Sequence, residues 1–440
     1  MMGKSGKMDR REFLGLLGLS GGGLLLGWLG GCAVDPVTGR QSMVMLSERQ
    51  EVEIDRRQAP HIFSADYGEV GNPVIRRYLE EVGRRLVRVS HRPDRPYTFH
   101  AVNAVHMNAY SLPGGTVAVT RGMLVELSSE AELAALLGHE IAHVTARHAA
   151  ERAAQGALAN IFLAGVGALL DSGGAGRLVQ DFGSLGAGAL LAHYSREDER
   201  EADALGMEYM VRAGYNPEGM VALTRILVEK GRERPDLFAQ MFASHPPGEE
   251  RLQTALRLAA ERYASARGRP LLRERYLEHL FPLLRIRRAI HIMQDGLELM
   301  SKRRYREAEN AFASALAQVP DDYAGLLMMA KVQLAQNRPE QARRFIDRAR
   351  RANPTEAQAV GLSGVTWLML DRPREALQDF VAYERMLPGN PDIVFFQGLA
   401  LERMGRSREA AAAYQRYLNS GARGRKARHA WQRLKEWGYL

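Results

Sequence analysis

The sequence predicts a mostly α-helical protein in which an α+β domain with a small sheet is followed by an α-solenoid. Three observations support this prediction. Apolar residues recur at helical spacing around residues 133–141, with no proline to interrupt them. The segment 116–120 alternates as a half-buried strand does, directly after a Pro-Gly-Gly turn signal. The last third of the chain repeats with a period of 34 residues.

A helix is expected to begin at Ser129, because Ser129 and Glu132 form a capping box. This helix carries the pattern HExxH, with His139, Glu140 and His143 at its fixed positions. Residues four apart on a helix differ by about 40° in direction, so both imidazoles project from one face and can share a metal ion. Glu140 reaches the same cavity, where it can take a proton from water on the metal. A chance match on an amphipathic helix is the alternative, so a third ligand is needed.

Known classes of HExxH metal site differ in where the third protein ligand lies in the sequence. Metzincins place a glycine three residues and a histidine six residues after the second histidine, and here those positions hold Ala146 and Ala149. That class is therefore excluded. His148 is set aside as well, because five residues past His143 on a continuous helix it points about 140° away from the ligand face. The remaining solution is a carboxylate on a second helix.

The acidic segment 195–203, which is helical in composition, supplies candidate carboxylates. Glu199 and Asp203 are four residues apart and share a face, whereas Glu201 points the opposite way. Glu199 is therefore interpreted as the third metal ligand, with Asp203 holding a ligand imidazole in its tautomer. A solvated, salt-bridged surface helix is the alternative interpretation.

His245 is the third feature that fits such a site. It precedes Pro246, so it is expected in an extended or turn segment that can present its side chain to a cleft. Two roles remain open for it: a fourth metal ligand in a resting state, or a hydrogen-bond donor to the oxyanion during peptide hydrolysis. A solvated loop histidine is the alternative.

The order of four segments resembles the HtpX and CAAX-prenyl-endopeptidase group of gluzincin metallopeptidases. The segments are 108–115 (NAYSLPGG), 139–143 (HEIAH), 195–203 and 244–246 (SHP). More narrowly, the chain is similar to the BepA-type periplasmic form with tetratricopeptide repeats. The resemblance implies a zincin-type domain with one Zn²⁺ per chain, in which two histidines and a glutamate bind the metal, a second glutamate is the base and an aspartate assists. In this sequence those residues are His139, His143, Glu199, Glu140 and Asp203.

The strand at 116–120 is expected at an edge of the sheet beside the zinc. A metallopeptidase needs its substrate extended, and an edge strand supplies this by backbone pairing. An ordinary hairpin strand is the alternative. The resemblance further implies that the substrates are unfolded, misfolded or stalled envelope proteins, including outer-membrane β-barrels.

The C-terminal third is a repeat array. Alanines at 308, 342, 376 and 410 are spaced by 34 residues, each with a large apolar residue four positions later and a small residue twelve positions earlier. This pattern resembles the tetratricopeptide repeat, a helix-turn-helix unit. Four units are predicted over 289–422, with a junction at 266–288 and an amphipathic capping helix at 423–440. Such arrays usually bind a peptide or protein in their groove, here with outer-membrane assembly machinery as a candidate partner. The alternative is that the array only packs on the preceding domain.

Residues 1–32 are interpreted as an export signal with a lipobox, which leaves 33–265 for the metallopeptidase domain. The pair Arg10-Arg11 resembles a twin-arginine signal, and the apolar run that follows ends at Cys32. Cys32 is the single cysteine, so no intramolecular disulfide can form. A lipid on Cys32 would tether the chain to a membrane of the bacterial envelope, in the periplasm, and Ala33 at the next position favours the outer membrane.

The net charge and the remaining composition indicate which classes of partner are expected. The formal net charge of +9 favours an anionic membrane surface or acidic partners, and because no nucleic-acid motif accompanies it, no nucleic acid is expected. The Ala-, Gly- and Leu-rich stretch 151–191 contains apolar runs too short to span a bilayer, and core helices are expected there. Two functions follow: an envelope-tethered zinc endopeptidase for protein quality control, or a chaperone or adaptor whose repeats bind clients while proteolysis is mostly silent.

Overall fold

The computed structural model describes residues 33–34, 41–42, 46–154, 194–246 and 248–440. The predicted export signal and most of the stretch 151–191 lie outside the described residues. The described chain is mostly helical with a small sheet, which confirms the predicted fold class. None of the helices in those ranges is long and apolar enough to cross a membrane.

The elements from Glu48 to Glu261 form the N-terminal domain, in which helices surround a three-stranded sheet. A short antiparallel pair, β1 (Ala33–Val34) and β2 (Gln41–Ser42), precedes it. The strands of the sheet are β3 (Thr98–Val102), β4 (Ala109–Ser111) and β5 (Thr116–Thr120). The helices are α1 (Glu48–Ala65), α2 (Pro73–Val87), α3 (Arg121–Leu124), α4 (Glu130–Thr145), α5 (His148–Ala154), α6 (Arg196–Arg212), α7 (Glu218–Glu233), α8 (Pro235–Ser244) and α9 (Glu249–Glu261).

The strand β5 lies in the middle of the sheet, so the expectation that it forms an edge is wrong. It pairs in parallel with β3 and antiparallel with β4, and all five of its residues are buried. Its polar residues find buried partners: the Thr116 hydroxyl donates to Asp55 and the Thr120 hydroxyl donates to the His106 carbonyl. The alternation of polar and apolar residues in β5 therefore does not indicate a solvent-exposed face. The edge strand next to the HExxH helix is β4.

Helix α4 is the centre of the domain, and every one of its sixteen residues is buried. Ser129 is its N-cap and accepts a hydrogen bond from the Glu132 backbone, as the capping signal predicts. Helix α6 crosses α4 at two glycines: a Cβ on Gly138 would come within 2.9 Å of the Gly206 carbonyl oxygen. A glycine inside a helix costs about 1 kcal/mol relative to alanine. Here the two glycines let the backbones touch, which brings the acidic first half of α6 against the HExxH residues.

Four helix pairs form the repeat array, preceded by α10 (Arg273–Leu284) and followed by α19 (Arg425–Glu436). Each pair consists of two antiparallel neighbours joined by a short turn. The first helices are α11 (Arg287–Ser301), α13 (Tyr323–Ala335), α15 (Ala357–Met369) and α17 (Pro391–Arg403), and the second helices are α12 (Tyr305–Gln318), α14 (Pro339–Ala352), α16 (Pro373–Met386) and α18 (Ser407–Asn419).

The spacing of small and aromatic residues in the repeats has a direct structural cause. The ring of Phe312 packs against Gly296, where an added Cβ would lie 2.3 Å from the ring, and Phe380 packs against Gly364 in the same way. Tyr414 contacts Gly398 equivalently in the fourth unit. The small residue on the first helix therefore makes room for the large residue on the second, which confirms the expected close approach.

The array packs directly on the N-terminal domain. The guanidinium of Arg121 makes two hydrogen bonds, of 2.6 and 2.9 Å, to the Asp322 carboxylate, and both side chains are buried. Ser64, at the end of α1, donates to Glu356. The Gln294 side chain donates to the Val105 carbonyl at 2.8 Å. One hydrophobic core cluster contains residues of both parts, so the two form a continuous body.

Candidate metal centre

Four side chains from three elements meet at the crossing of α4 and α6. His139 and His143 lie one turn apart on α4, Glu199 lies in the first turn of α6, and His245 follows the last residue of α8. All four are buried, and each offers a donor atom within 4.8 Å of the others. The structure therefore brings together the two histidines and the glutamate selected as ligands from the sequence, and it places beside them His245, for which a fourth-ligand role was one of the two left open.

The distances between these donor atoms match those of one tetrahedral site. His139 Nε2 lies 3.1 Å from His143 Nε2 and 3.3 Å from His245 Nδ1. Glu199 Oε1 lies 3.3 Å from His143 Nε2 and 2.9 Å from His245 Nδ1. Ligands 2.0–2.1 Å from a tetrahedral zinc ion are about 3.3 Å apart. Nitrogen and oxygen donors with this spacing fit a divalent metal such as zinc.

The protonation states of His143 and Glu199 also suit a metal. Burial lowers the pKa of His143 well below its usual value, so its imidazole is neutral and offers a lone pair. Burial alone would raise the pKa of Glu199, but the charges of His245 and Arg251 outweigh it and hold that pKa well below normal. Glu199 is therefore ionised. Burial would lower the pKa of His245, and the carboxylates of Glu199 and Glu140 reverse that shift and raise it.

Asp203, one turn along α6 from Glu199, lies next to the Nδ1 edge of the His139 ring. Its Oδ1 is 3.0 Å from His139 Nδ1, which leaves Nε2 of that ring facing the centre. Arg251 on α9 completes the cluster: its Nε is 2.7 Å from Asp203 Oδ2 and its Nη1 is 2.6 Å from Glu199 Oε2. The sequence reasoning gave Arg251 no role. The available signal was an arginine five residues after Pro246, in the first turn of the helix that follows the His-Pro segment.

His148 is not one of the four donors, but the direction expected for its side chain is wrong, because it contacts the candidate ligand His143. Helix α4 ends at Thr145, Arg147 adopts a positive φ of 58°, and α5 begins at His148. The angular extrapolation along one continuous helix therefore fails. His148 Nδ1 lies 2.8 Å from His143 Nδ1, and its Nε2 lies 3.4 Å from Glu201 Oε2. Glu201 does point away from the metal ligands, as predicted, but it faces the histidine that supports one of them.

Glu140 is fully buried beside the four donors. Its Oε2 accepts a hydrogen bond of 3.0 Å from the Ser111 hydroxyl at the end of β4. Its Oε1 lies 3.7 Å from His245 Nε2 and has no hydrogen-bond partner among the described residues. A buried carboxylate oxygen without a partner is costly, and here it faces the space where water on a metal would lie.

Comparison with known proteins assigns this arrangement to a family. The model of peptidase family M48 matches residues 73–259. The metalloprotease YcaL of Escherichia coli is 30% identical over 190 residues, which cover 42% of this chain and 72% of that protein. The chain belongs to peptidase family M48. Family membership implies a divalent metal, and the donor set described above fits one.

The repeats and further relatives agree with the predicted BepA-type arrangement. Tetratricopeptide-repeat models match residues 299–364 and 368–428. The beta-barrel assembly-enhancing protease of Escherichia coli is 27% identical over 65% of this chain and 64% of its own length. A putative beta-barrel assembly-enhancing protease of Vibrio cholerae is 30% identical over 42% of this chain and 39% of its own length. The chain thus spans less than two thirds of these two relatives.

The contact between His148 and His143 leads to a test in this M48 domain. A ligand imidazole whose second nitrogen loses its partner typically binds metal 10- to 100-fold more weakly, so we expect His148→Ala to lower zinc affinity by about that factor. Competition with a chromogenic chelator measures the dissociation constant. His100→Ala, which removes a histidine of β3 that pairs with Glu69, is the matched control and should leave the affinity unchanged. An unaltered zinc affinity in His148→Ala would contradict a supporting role.

Proposed function

We propose that this protein is a zinc-dependent endopeptidase of the bacterial cell envelope, which degrades misfolded or stalled envelope and outer-membrane proteins. The observation that carries the proposal is the buried cluster of four donor atoms spaced as the ligands of one tetrahedral ion, with Glu140 beside it. The relatives named beta-barrel assembly-enhancing protease, a name that couples proteolysis to β-barrel assembly, support this class of substrate.

In this proposal each side chain of the site has its own role in hydrolysis. His139, His143 and Glu199 would hold the zinc ion, which supplies Lewis acidity that acidifies water and polarises the scissile carbonyl. Glu140 acts as the base: Oε1 takes a proton from the attacking water and passes it to the leaving amine nitrogen. Asp203 keeps the proton of His139 on Nδ1. The burial of the whole cluster excludes bulk water and strengthens each of these interactions.

A direct test measures metal content and casein hydrolysis of the purified protein. We expect about one zinc ion per chain, loss of hydrolysis on treatment with a chelator, and recovery when zinc is returned. Hydrolysis that persists in protein shown to be free of metal would refute the proposal. An aggregation assay addresses the second candidate function, a chaperone or adaptor. That function predicts that Glu140→Gln, which lacks the base but keeps the metal ligands, suppresses client aggregation as strongly as wild type does.

His245 is proposed as a gate on this site. A catalytic zinc site keeps one position open, but His245 Nδ1 lies at the distance of a fourth ligand from both His139 and Glu199. The imidazole must then leave before a substrate carbonyl can approach. The competing role, hydrogen bonding to the oxyanion, would require the imidazole near the substrate instead.

His245→Ala separates the two roles by the sign of its effect. Removal of a gate raises basal casein turnover, which is the expected result. Loss of an oxyanion donor instead lowers turnover by about two to three decades with zinc retained. Initial rates and zinc content of the variant and wild type decide between them. Unchanged turnover would exclude both roles and leave His245 as a structural residue.

The proposed envelope location rests on the predicted lipobox at Cys32. A lipid on Cys32 would anchor the protein, so wild type is expected to incorporate labelled palmitate and to fractionate with membranes, whereas Cys32→Ala does neither. Labelling in cells followed by membrane fractionation checks this. If the variant remained with membranes after a salt wash, the apolar stretch at 157–170 would be the anchor instead.

The repeats are proposed to bind a protein partner, with unfolded substrates and outer-membrane assembly machinery as the candidates. Tetratricopeptide arrays present extended surfaces for polypeptides, and this array is covalently and physically joined to the peptidase domain. A partner held by the array would therefore be bound to the same continuous body as the metal centre.

A further inference from the structure

The two carboxylate oxygens of Glu140 have different surroundings. Oε2 accepts a hydrogen bond from Ser111 Oγ at 3.0 Å, and both side chains are buried. Oε1 faces the metal centre, 3.7 Å from His245 Nε2, and among the described residues it accepts no hydrogen bond. One oxygen is thus held and the other is left free to exchange a proton.

Ser111 is well placed to hold that oxygen. It is the last residue of β4, and its backbone is fixed by antiparallel pairing with Val117 of the buried central strand. Ser111 and Tyr194 line the same small cavity, and the ring of Tyr194 stacks on His143 at a centroid distance of 3.8 Å. The Ser111 side chain is buried, so a hydroxyl turned away from Glu140 would lose this hydrogen bond without gaining free access to water.

Orientation of a general base matters because proton transfer needs a short, aligned path. A carboxylate that can rotate about its terminal torsion spends part of its time with neither oxygen directed at the water, and misplacement by about 1 Å can cost about 100-fold in rate. Without the Ser111 hydroxyl, Glu140 would have no hydrogen-bond donor on Oε2 among the described side chains.

We propose that Ser111 is the positioning residue of the general base, and that its hydroxyl fixes Oε2 of Glu140 so that Oε1 faces the attacking water. This inference rests on the peptidase function proposed above. Ser111 touches neither the metal ligands nor the reacting atoms in this scheme, so it affects the rate of the chemical step and leaves metal binding alone.

The test compares Ser111→Ala with Ser111→Thr, which keeps the hydroxyl and suits a strand. We expect Ser111→Ala to lower kcat by about 10- to 100-fold with KM and zinc content unchanged, and Ser111→Thr to recover most of the rate. Ser90→Ala removes another buried hydroxyl, one that donates to the Val87 carbonyl, and should keep wild-type kinetics. A wild-type kcat in Ser111→Ala, or an equal loss in Ser111→Thr, would overturn the inference.

Thermal unfolding of the metal-free protein provides a second test of the contact, one that does not depend on activity. If wild type shows no chelator-sensitive hydrolysis, the proposed function fails. The Ser111–Glu140 contact can still be tested by a double-mutant cycle, in which the Tm of Ser111→Ala, Glu140→Ala and the double variant is compared with that of wild type. A real contact makes the two shifts in Tm non-additive by about 2 °C or more. Additive shifts, or single variants that unfold like wild type, would show that Ser111 does not hold Glu140.

Discussion

Glu140→Gln is expected to abolish peptide hydrolysis while the protein keeps its zinc. The amide is nearly isosteric with the carboxylate and can still accept a hydrogen bond from Ser111, so the fold and the ligands are preserved. It cannot take a proton from water at neutral pH. General-base catalysis contributes about 10²- to 10⁴-fold, so turnover should fall by about 100- to 10,000-fold.

Casein hydrolysis and zinc content of the same preparations check this expectation. Glu151→Gln, which neutralises a carboxylate on α5, serves as the control for loss of a nearby negative charge and should keep wild-type turnover. Hydrolysis at the wild-type rate in Glu140→Gln would mean that another group activates water, and the assignment of Glu140 would then be wrong.

Glu199→Ala is expected to lose the metal altogether, whereas Glu201→Ala keeps it. The two glutamates lie two residues apart on α6, yet Glu199 is buried with its Oε1 3.3 Å from His143 Nε2, while Glu201 contacts His148 alone among the site residues. Glu199 is the one carboxylate among the four donors, and its removal takes away the negative charge that offsets the charge of the metal, so dialysis should strip the zinc even with His245 in place. Removal of a distant carboxylate only weakens the support of one ligand.

Metal analysis of dialysed Glu199→Ala and Glu201→Ala measures this difference directly. Circular dichroism should confirm that both variants are folded, because Arg251 keeps Asp203 as a partner when Glu199 is removed. Zinc loss in Glu201→Ala together with zinc retention in Glu199→Ala would reverse the ligand assignment made from helical facing.

The sequence predicted those parts of the site that depend on spacing within one helix. His139 and His143 share a face of α4, and Glu199 and Asp203 share a face of α6, because four residues make about one turn. The repeat array could be predicted equally well, since a small residue paired with a large apolar residue recurs every 34 residues, and in three of the four units the structure packs an aromatic ring against a glycine. In each case a local geometric rule determines which residues meet.

The parts that the sequence missed depend on how separate elements meet. The central position of β5 follows from strand order, which no pattern inside 116–120 records. His148 contacts His143 because α4 ends three residues earlier, at Thr145, and helix ends are poorly determined by sequence. Arg251 reaches Asp203 only because α9 packs beside α6. Gly138 and Gly206 mark that crossing, but single glycines in helices have many causes.

The continuous core between the two domains makes the repeat array sensitive to the metal. A free array of this kind unfolds unit by unit, with stability set by nearest neighbours. Here α13 and α15 are buried along most of their length, and their units are joined to the N-terminal domain through Asp322 and Glu356. A bound metal would stabilise the N-terminal domain by mass action, and the shared core would pass that stabilisation to the repeats. Under the proposed function, loss of the metal would loosen the surface proposed to bind a partner, so that metal supply would govern recruitment as well as cleavage.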